Sequence, residues 1–575
     1  MGAAEDRTIV VNPNCGGKPG YQTFNEIGFQ TAGPRAFVWD HGVADAARSS
    51  PAREQAKREV AGEEKTMKRN RCFIVTICAG FLATAQAEGQ ANSAATEGKT
   101  GACGPAAFLT LEQGKIAGVD WVKQEGNTIH NHVVLTQSRI IDAAIELRSD
   151  QTAVRSSVVL SVAGGESEKP IIRELGEGAI YWSDMIVSSV EQAVLRARVS
   201  GQASSKIPGA SLYSDSRGDV LVERLDAVDW VISYHNKRYE VLTDAQGCML
   251  SATLPEHGVV IERRETFREE QYPLWAPYGA PPDGAYKAEE VRISAPQGHS
   301  LVGTLTTPSH GGAKFSAAVL ITGLGPSERN GGQLPWMPLR DLADALTRAG
   351  IAVLRVDDRG VGKSSGDHAP STTFDEADDV QTEVAWLRAR NDIEAKRVAL
   401  VGYSEGGLIA PMIAAKDPQI AAIVTLAGPG TSGADLAHYQ IGQAVNRDPA
   451  IAPGDREKEV AKQLAEDMTP RERVVLTIDP LQFAPRVHCP ALILQGGNDL
   501  HVPMRSGERI ATAMRANGNS DVSVRIFPGV SHSLLPDPVG LGNGWVLLPG
   551  FLTSPELLEV MAHWTAEKLG TATAH

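Results

Sequence analysis

The stretch from Val398 to Ala415 constrains the fold of this chain more than any other. Residues 398–401 are apolar and predict a short buried strand, and the apolar run 408–415 predicts a helix. Between them lies the pentapeptide Gly402-Tyr403-Ser404-Glu405-Gly406, a G-x-S-x-G pattern. Between a strand and a helix, this pattern forms a tight turn that lifts the serine hydroxyl clear of the sheet, and its glycines avoid clashes with neighbouring backbone. Ser404 is therefore predicted to be a nucleophile.

A second G-x-S-x-G, from Gly362 to Gly366, lacks this setting. It does not follow a strand directly, and the residues after it, Asp367 to Pro370, cannot open a helix. The same stretch looks like the end of a phosphate-binding P-loop, but that motif requires a glycine where Asp357 stands. We predict neither a nucleophile at Ser364 nor a nucleotide site.

Length and composition indicate a globular chain of more than one domain. The 575 residues allow two or more domains, and a hydrophobic content of 42% is enough for a packed core. The net charge of −14 does not suggest nucleic acid as a partner. We expect a small molecule instead.

The first hundred residues contain an export signal in an unusual place. Residues 1–66 show no clear periodicity, and then a basic patch from Met67 to Arg71 precedes a short apolar run, 72–82, and the tripeptide Ala85-Gln86-Ala87. This order is typical of a secretory signal peptide, 67–87, cleaved after Ala87. The simplest account is that translation starts at Met67 and that 1–66 is a misassigned or disordered extension. The apolar run is too short to span a bilayer, so we expect a periplasmic or secreted protein without membrane insertion after cleavage.

Export changes the interpretation of the cysteines. Three of the six follow the predicted cleavage site: Cys103, Cys248 and Cys489. Cys489 opens a predicted buried strand and is most simply a packed thiol. Cys103 and Cys248 lie in the same region, and an oxidising compartment would let them form a disulfide, although their spacing says nothing about geometry.

Residues 88–101 are rich in Ala, Ser, Gly and Thr and indicate a linker. Residues 102–285 contain alternating and β-branched segments with one helical stretch, Ser183 to Arg198, which predicts a smaller, β-rich α+β domain. His130 and His132 would share one strand face, but no third ligand stands out. We interpret them as surface histidines and predict no metal site.

From residue 286 to 575 strands alternate with helices, which predicts a mostly parallel, doubly wound sheet. Ligands bind at the carboxyl ends of the strands in such sheets. The segment 430–484 separates two core strands and contains two helical patterns, Ala434 to Val445 and Asp455 to Asp467. We predict that it forms a lid over Ser404.

A serine hydroxyl needs a base, and the base needs a group that orients it. His532 follows the late strand 522–527 and is the predicted base; His501 lies in the loop of the acid, and His563 lies on the terminal helix. Asp499 follows the strand 491–495 and is the predicted acid. The chain order Ser404, Asp499, His532 differs from that of chymotrypsin and subtilisin.

The tetrahedral intermediate needs two N–H donors. The residue after the nucleophile, Glu405, supplies one. The loop after the strand 317–322 supplies the other, and Leu324 is preferred with Gly325 left open. Trp336 and Met337, which follow this loop, are predicted to line an acyl or alcohol pocket together with apolar residues of the lid.

These motifs resemble a serine α/β hydrolase from about residue 288 to the end of the chain. The exported bacterial esterase-like branch is the most similar, whose members are often called dienelactone hydrolase-like or acylaminoacyl peptidase-like. The stretches that carry the resemblance are 321–326, 355–364, 402–407, 496–499 and His532. The resemblance implies the α/β-hydrolase fold, and it implies that Asp357 to Ser364 is a structural loop beside the site. True dienelactone hydrolases differ because they use a cysteine where Ser404 stands, and prolyl-oligopeptidase-type enzymes differ in their N-terminal propeller.

The favoured function is hydrolysis of carboxylic esters through an acyl-serine intermediate, without a cofactor. A peptidase or amidase with the same triad is the main alternative. A thioesterase is less favoured because an exported enzyme meets little coenzyme A, and the complete triad argues against a hydrolase fold used only for binding.

Overall fold

The computed structural model describes residues 103–235, 237–465, 470–540 and 548–571. The predicted extension, signal peptide and linker lie outside the described residues. Within the described ranges, no helix has both the length and the apolar character needed to cross a bilayer.

The first part of the chain forms one antiparallel sheet of thirteen strands among the described residues, in the order β6-β5-β4-β3-β2-β1-β13-β12-β11-β10-β9-β8-β7. Only the β7–β8 pair is parallel. Alternate residues of β4 and β11 are buried, which is the period of two expected for a sheet with one covered face. The strands are β1 Ala106–Glu112, β2 Lys115–Glu125, β3 Thr128–Leu135, β4 Arg139–Leu147, β5 Ala153–Val162, β6 Ile171–Glu174, β7 Ile180–Trp182, β8 Ser204–Ser211, β9 Arg217–Arg224, β10 Asp229–Tyr234, β11 Lys237–Thr243, β12 Met249–Leu254 and β13 Val259–Arg264.

One helix, α1 Ser188–Ser200, packs on this sheet where the sequence predicts a helix. Its first N–H, that of Ser188, donates to the buried carboxylate of Asp120 at 3.2 Å, and Asn131 donates to the same carboxylate. Burial nevertheless raises the pKa of Asp120 to about 6. Cys103 and Cys248 form a disulfide that ties the start of the first sheet to the turn before β12.

The second sheet has eight strands in the order β14-β15-β17-β16-β18-β19-β20-β21. Its first two strands are antiparallel to their neighbours, and all remaining pairs are parallel. This order confirms the predicted mostly parallel sheet. The strands are β14 Tyr286–Ser294, β15 Ser300–Pro308, β16 Phe315–Ile321, β17 Ala352–Val356, β18 Ile393–Tyr403, β19 Ala422–Leu426, β20 Ala491–Asn498 and β21 Val522–Ser531.

Helices cover both faces of the second sheet. They are α2 Pro338–Arg348, α3 Thr373–Arg388, α4 Gly406–Ala414, α5 Gly433–Arg447, α6 Arg456–Leu464, α7 Pro470–Leu476, α8 Ser506–Ala516 and α9 Pro555–Lys568. Apolar residues of α3, α4 and α8 pack on one face, and those of α2 and α9 pack on the other. Both faces of the central parallel strands are therefore buried, which explains their nearly continuous apolar sequence.

The segment 430–484 contains three helices among its described residues, α5, α6 and α7. The first two match the predicted helical patterns, except that α6 ends at Leu464. Helix α7 was not predicted, because seven residues are too few for a helical period to stand out.

Buried polar groups join the two sheets, which belong to one compact unit. Glu112 at the end of β1 accepts hydrogen bonds from the backbone N–H groups of Phe551 and Leu552, at 2.9 and 2.8 Å. Arg340 of α2 donates to Ser138 Oγ at 2.6 Å and to the Thr136 carbonyl at 3.1 Å. The first sheet is thus attached both to α2 and to the segment that leads from β21 to α9.

Candidate active site

Ser404 occupies a strained turn between β18 and α4. Its φ is +54°, in the left-handed region that non-glycine residues rarely adopt. A Cβ on Gly402 would lie 1.9 Å from the Gly406 carbonyl oxygen, and a Cβ on Gly406 would lie 2.5 Å from that of Ile321. Only glycine fits at these two positions, which is the physical reason for the G-x-S-x-G pattern.

The structure brings Ser404, His532 and Asp499 together. His532 Nε2 lies 3.1 Å from Ser404 Oγ, and His532 Nδ1 lies 2.9 Å from Asp499 Oδ2. Both contacts are within hydrogen-bond distance, so His532 can accept the serine proton while Asp499 holds the opposite ring nitrogen. Each of the three residues follows a different strand, β18, β20 or β21, at the carboxyl edge of the sheet.

The carboxylate of Asp499 is held by four hydrogen bonds. Oδ1 accepts from the backbone N–H groups of His501 and Val502, at 2.8 and 2.7 Å. Oδ2 accepts from Gln495 Nε2 at 2.9 Å as well as from His532. This arrangement keeps the buried carboxylate in one orientation, with one oxygen directed at the histidine.

Three further side chains surround His532. The ring of His501 stacks on it with centroids 4.7 Å apart. Tyr403 donates its hydroxyl to the His532 carbonyl at 3.1 Å, and Trp336 Nε1 donates to the next carbonyl, that of Ser533. The sequence places His501 in the acid's loop but does not indicate this ring contact.

The predicted oxyanion loop, residues 323–326, approaches Ser404 closely. A Cβ on Gly323 would lie 3.3 Å from Ser404 Cβ, so the glycine permits this approach. Gly406 N–H donates to the Thr322 carbonyl at 2.9 Å and joins the loop to the turn. The N–H groups of Leu324 and Glu405 have no acceptor among the described residues, and both remain candidates for the oxyanion hole.

Ser364 has a different setting from Ser404. Its buried hydroxyl donates to the Asp357 carbonyl at 2.7 Å and accepts from the Val302 N–H at 2.8 Å. The Asp357 carboxylate in turn binds the fully buried guanidinium of Arg329. The loop 357–364 is thus held by internal hydrogen bonds, and Ser364 has no basic partner among them.

One of the two predicted pocket residues is corrected by the structure. Met337 is only 1% exposed, and its sulfur lies 3.6 Å from Asn330 Nδ2 within the core, so it cannot present a surface to a substrate. Trp336 is half-buried and contacts the histidine loop, so it remains a candidate pocket residue.

The carboxylate of Glu405, the residue after Ser404, has partners that the sequence does not predict. Glu405 is buried, and its two oxygens accept from Thr373 Oγ1 at 2.6 Å and from Arg471 Nη2 at 2.7 Å. Asp358, below the oxyanion loop, accepts from Thr322 Oγ1 and from the Ser327 N–H. Burial raises the pKa of Asp358 well above its usual value. No local sequence signal predicts these contacts, because the partners are 31 to 66 residues apart.

Among the described residues, one group has ligand atoms close enough to hold a metal: Cys103, Glu191 and Cys248. Its two sulfurs are joined in the disulfide, which leaves neither as a thiolate ligand.

Comparison with known proteins places the second part of the chain among related hydrolases. The family model described as serine aminopeptidase, S33, matches residues 338–452, which contain Ser404. Esterase EstD of Thermotoga maritima is 24% identical over 254 residues, which are 41% of this chain and 58% of that protein. The acylamino-acid-releasing enzyme of Sus scrofa is 26% identical over 196 residues, 33% of this chain and 25% of that protein. The chain therefore spans less than two thirds of the length of these relatives. Among solved structures, the Pyrococcus furiosus esterase Pf2001 has 18% identity and a TM-score of 0.35, with 51% of this chain and 96% of that one covered.

Proposed function

Because the second part of this chain is a serine α/β hydrolase domain, we propose that the protein cleaves carboxylic esters through an acyl-serine intermediate. The observation that carries the proposal is the pair of contacts from His532, one to Ser404 Oγ and one to Asp499. A hydroxyl, an imidazole and a carboxylate in this order activate a serine for attack on a carbonyl carbon.

The proposed reaction uses only these groups and the N–H donors of the turn. His532 Nε2 takes the Ser404 proton while Oγ bonds to the ester carbon, and the carbonyl π electrons move to the oxygen. The oxyanion is stabilised by the N–H of Glu405 and that of Leu324. When the tetrahedral intermediate collapses, the bond to the alcohol oxygen breaks and the alcohol leaves with the proton from His532. Water, deprotonated by His532, then hydrolyses the acyl-serine and restores Ser404.

The environment of the nucleophile supports esters over peptides. An aminopeptidase needs carboxylates that are available to bind a charged amino terminus. Two acids that hold the segments of the predicted oxyanion donors, Glu405 and Asp358, each have both oxygens engaged within the protein. The leaving group of an ester also requires less protonation than that of an amide, so His532 has to contribute less as a general acid.

A peptidase or amidase is the second candidate, because the matching family model is described as a serine aminopeptidase and one relative releases acylamino acids. The two functions differ in the leaving group and not in the nucleophile. The test must therefore compare substrates whose leaving group is an oxygen with substrates whose leaving group is a nitrogen.

The test measures kcat/KM for p-nitrophenyl acetate, butyrate and octanoate and for aminoacyl and acyl-aminoacyl p-nitroanilides. We expect the esters, and among them the short acyl chains, to be cleaved at least about a hundredfold faster than the anilides, because an alkoxide or phenolate leaves more readily than an amine. The Ser404→Ala variant is the control for uncatalysed ester hydrolysis. Equal or higher values for an anilide would contradict the ester proposal and favour the amidase.

A further inference from the structure

Helix α7 contributes an arginine to the residue that follows the nucleophile. Arg471 Nη2 donates to Glu405 Oε2 at 2.7 Å, and Nη1 donates to Ser371 Oγ at 3.3 Å. Nη1 also lies 3.6 Å from Glu376 Oε2. The side chains of Arg471, Glu405 and Glu376 are 6%, 4% and 7% exposed, so this is a buried group of charges.

This charge group contacts one predicted half of the oxyanion hole directly, and its arginine acts electrostatically on the acid that holds the other half. Glu405 supplies one N–H donor, and its side chain is held by Arg471 and Thr373. The loop with the other donor is held by Asp358, through Thr322 and Ser327. Asp358 and Glu376 are both buried carboxyls, and the charge of Arg471 acts on both.

We propose that Arg471 is a positioning residue for the oxyanion hole, which it orients by holding the Glu405 side chain and by neutralising the buried acids beneath it. The inference rests on the proposed acyl-transfer reaction. It gives α7 a part in catalysis, because its arginine holds the side chain of the residue that supplies one oxyanion donor.

The lid also contacts the loop of the predicted acid. Helix α5 donates from the Tyr439 hydroxyl to the Asp499 carbonyl at 3.3 Å and from Gln440 Nε2 to the His501 carbonyl at 3.0 Å. Helices α5 and α7 are packed closely, since a Cβ on Gly433 would lie 2.0 Å from the Val475 carbonyl oxygen. The lid therefore contacts the loops of the nucleophile and of the acid together.

Removal of Arg471 would leave the neighbouring carboxylates without their cation. Burial already raises the pKa of Glu376 to about 7, and Arg471 is the main group that opposes this increase. In Arg471→Met, the acids should bind protons at neutral pH and repel one another as they ionise at higher pH. The ionisable groups that face Arg471 come from the turn, the loop after β17 and α3: Glu405, Asp358, His368, Asp375 and Glu376.

The test compares Arg471→Met and Arg471→Lys with Arg473→Met, a matched control on the exposed side of the same helix. Steady-state kinetics are measured from pH 5 to 9, with thermal denaturation to verify folding. We expect Arg471→Met to lower kcat by about tenfold to a hundredfold with KM within about threefold, because a misdirected donor weakens binding of the oxyanion and not of the substrate. Its kcat should decrease as the pH rises, unlike that of the control. The kcat of Arg471→Lys should lie between those of Arg471→Met and the control, because an ammonium keeps the positive charge but not the planar guanidinium that donates to two acceptors at once.

The double variant Glu405→Gln/Arg471→Met separates positioning from simple loss of structure. It removes both partners and leaves no unpaired charge at this contact, so its stability should recover over that of Arg471→Met, whereas its kcat should stay at least about tenfold below that of the control because no cation then holds the side chain at position 405. If Arg471→Met does not fold, the lysine and double variants decide the question by the same comparison.

The inference is overturned if the folded Arg471→Met variant matches the control in kcat, or if the double variant does. Both an ester and an anilide are assayed, since an oxyanion forms with either. A preference for the anilide would refute the proposed ester specificity, and the Arg471 comparison would still be read from the anilide.

Discussion

At the scale of single residues, two serines in the same five-residue pattern have different surroundings. Ser404 is at φ +54° with His532 Nε2 3.1 Å away, whereas Ser364 exchanges hydrogen bonds with backbone groups. The distinction comes from the flanking elements. A strand on one side and a helix on the other force the first turn to expose its hydroxyl.

We predict that Ser404→Ala lowers kcat by about 10⁴-fold or more, since the other triad members cannot act without the nucleophile. Ser364→Ala removes two buried hydrogen bonds, so it should cost about 1–3 kcal/mol of stability and leave most of the turnover in the folded fraction. Turnover of p-nitrophenyl butyrate and urea denaturation measure the two effects. Mass spectrometry after fluorophosphonate labelling provides the control, and a label on Ser364 would contradict the assignment.

At the scale of elements, strand β1 supports a distant segment of the second sheet. Glu112 ends β1 and caps the N–H groups of Phe551 and Leu552, and the Phe551 ring packs into the apolar cluster of the first sheet. Burial raises the pKa of Glu112 to about 7. The first sheet therefore anchors the segment that follows His532.

We predict that Glu112→Ala lowers the free energy of unfolding by about 2–4 kcal/mol at pH 6, because two buried N–H groups lose their acceptor. Glu112→Gln keeps one acceptor oxygen and should cost less. Urea denaturation at pH 6 measures both, with Glu146→Gln on an exposed position of β4 as the control. Equal stability of the alanine variant and the wild type would show that water replaces the lost acceptor.

At the scale of the whole molecule, several carboxyls are buried with raised pKa values. Burial raises the pKa of Glu112, Glu191 and Glu376 to about 7 and that of Asp120 to about 6. The folded state then binds more protons than the unfolded state between about pH 4 and pH 7. Burial lowers the pKa of His368 to about 4, so this residue is neutral in the folded state where it is protonated in the unfolded state. Its effect on the pH dependence of stability therefore cancels that of about one of the four acids.

We predict that the protein is more stable at pH 5.5 than at pH 8, by on the order of 3 kcal/mol. The sign follows from linkage: a raised folded-state pKa gives stability that is present at low pH and is lost as the pH rises through that pKa. Urea denaturation at both pH values measures the difference. Glu112→Gln should reduce it, and Glu146→Gln should not. A higher stability at pH 8 would contradict the prediction.

The local features of this protein were determined by its sequence. The strand–turn–helix around Ser404 could be predicted because apolar runs and glycines act within ten residues. The alternation of strands and helices implied a parallel sheet, and a parallel sheet brings Ser404, Asp499 and His532 to one edge whatever the details of their loops. For this reason the three residues that meet at this edge could be predicted before the geometry was known.

Only the tertiary structure decided which side chains meet across long stretches of chain. The contact of Arg471 with Glu405, the stacking of His501 on His532 and the capping of Phe551 by Glu112 join residues between 31 and 439 positions apart. The burial of Met337 is also a tertiary effect. Met337 and Trp336 are adjacent apolar residues in one stretch of chain, yet Met337 is buried and Trp336 donates a hydrogen bond to the loop of His532. Propensity and periodicity act over a few residues, whereas these contacts depend on how whole elements pack, which no local pattern encodes.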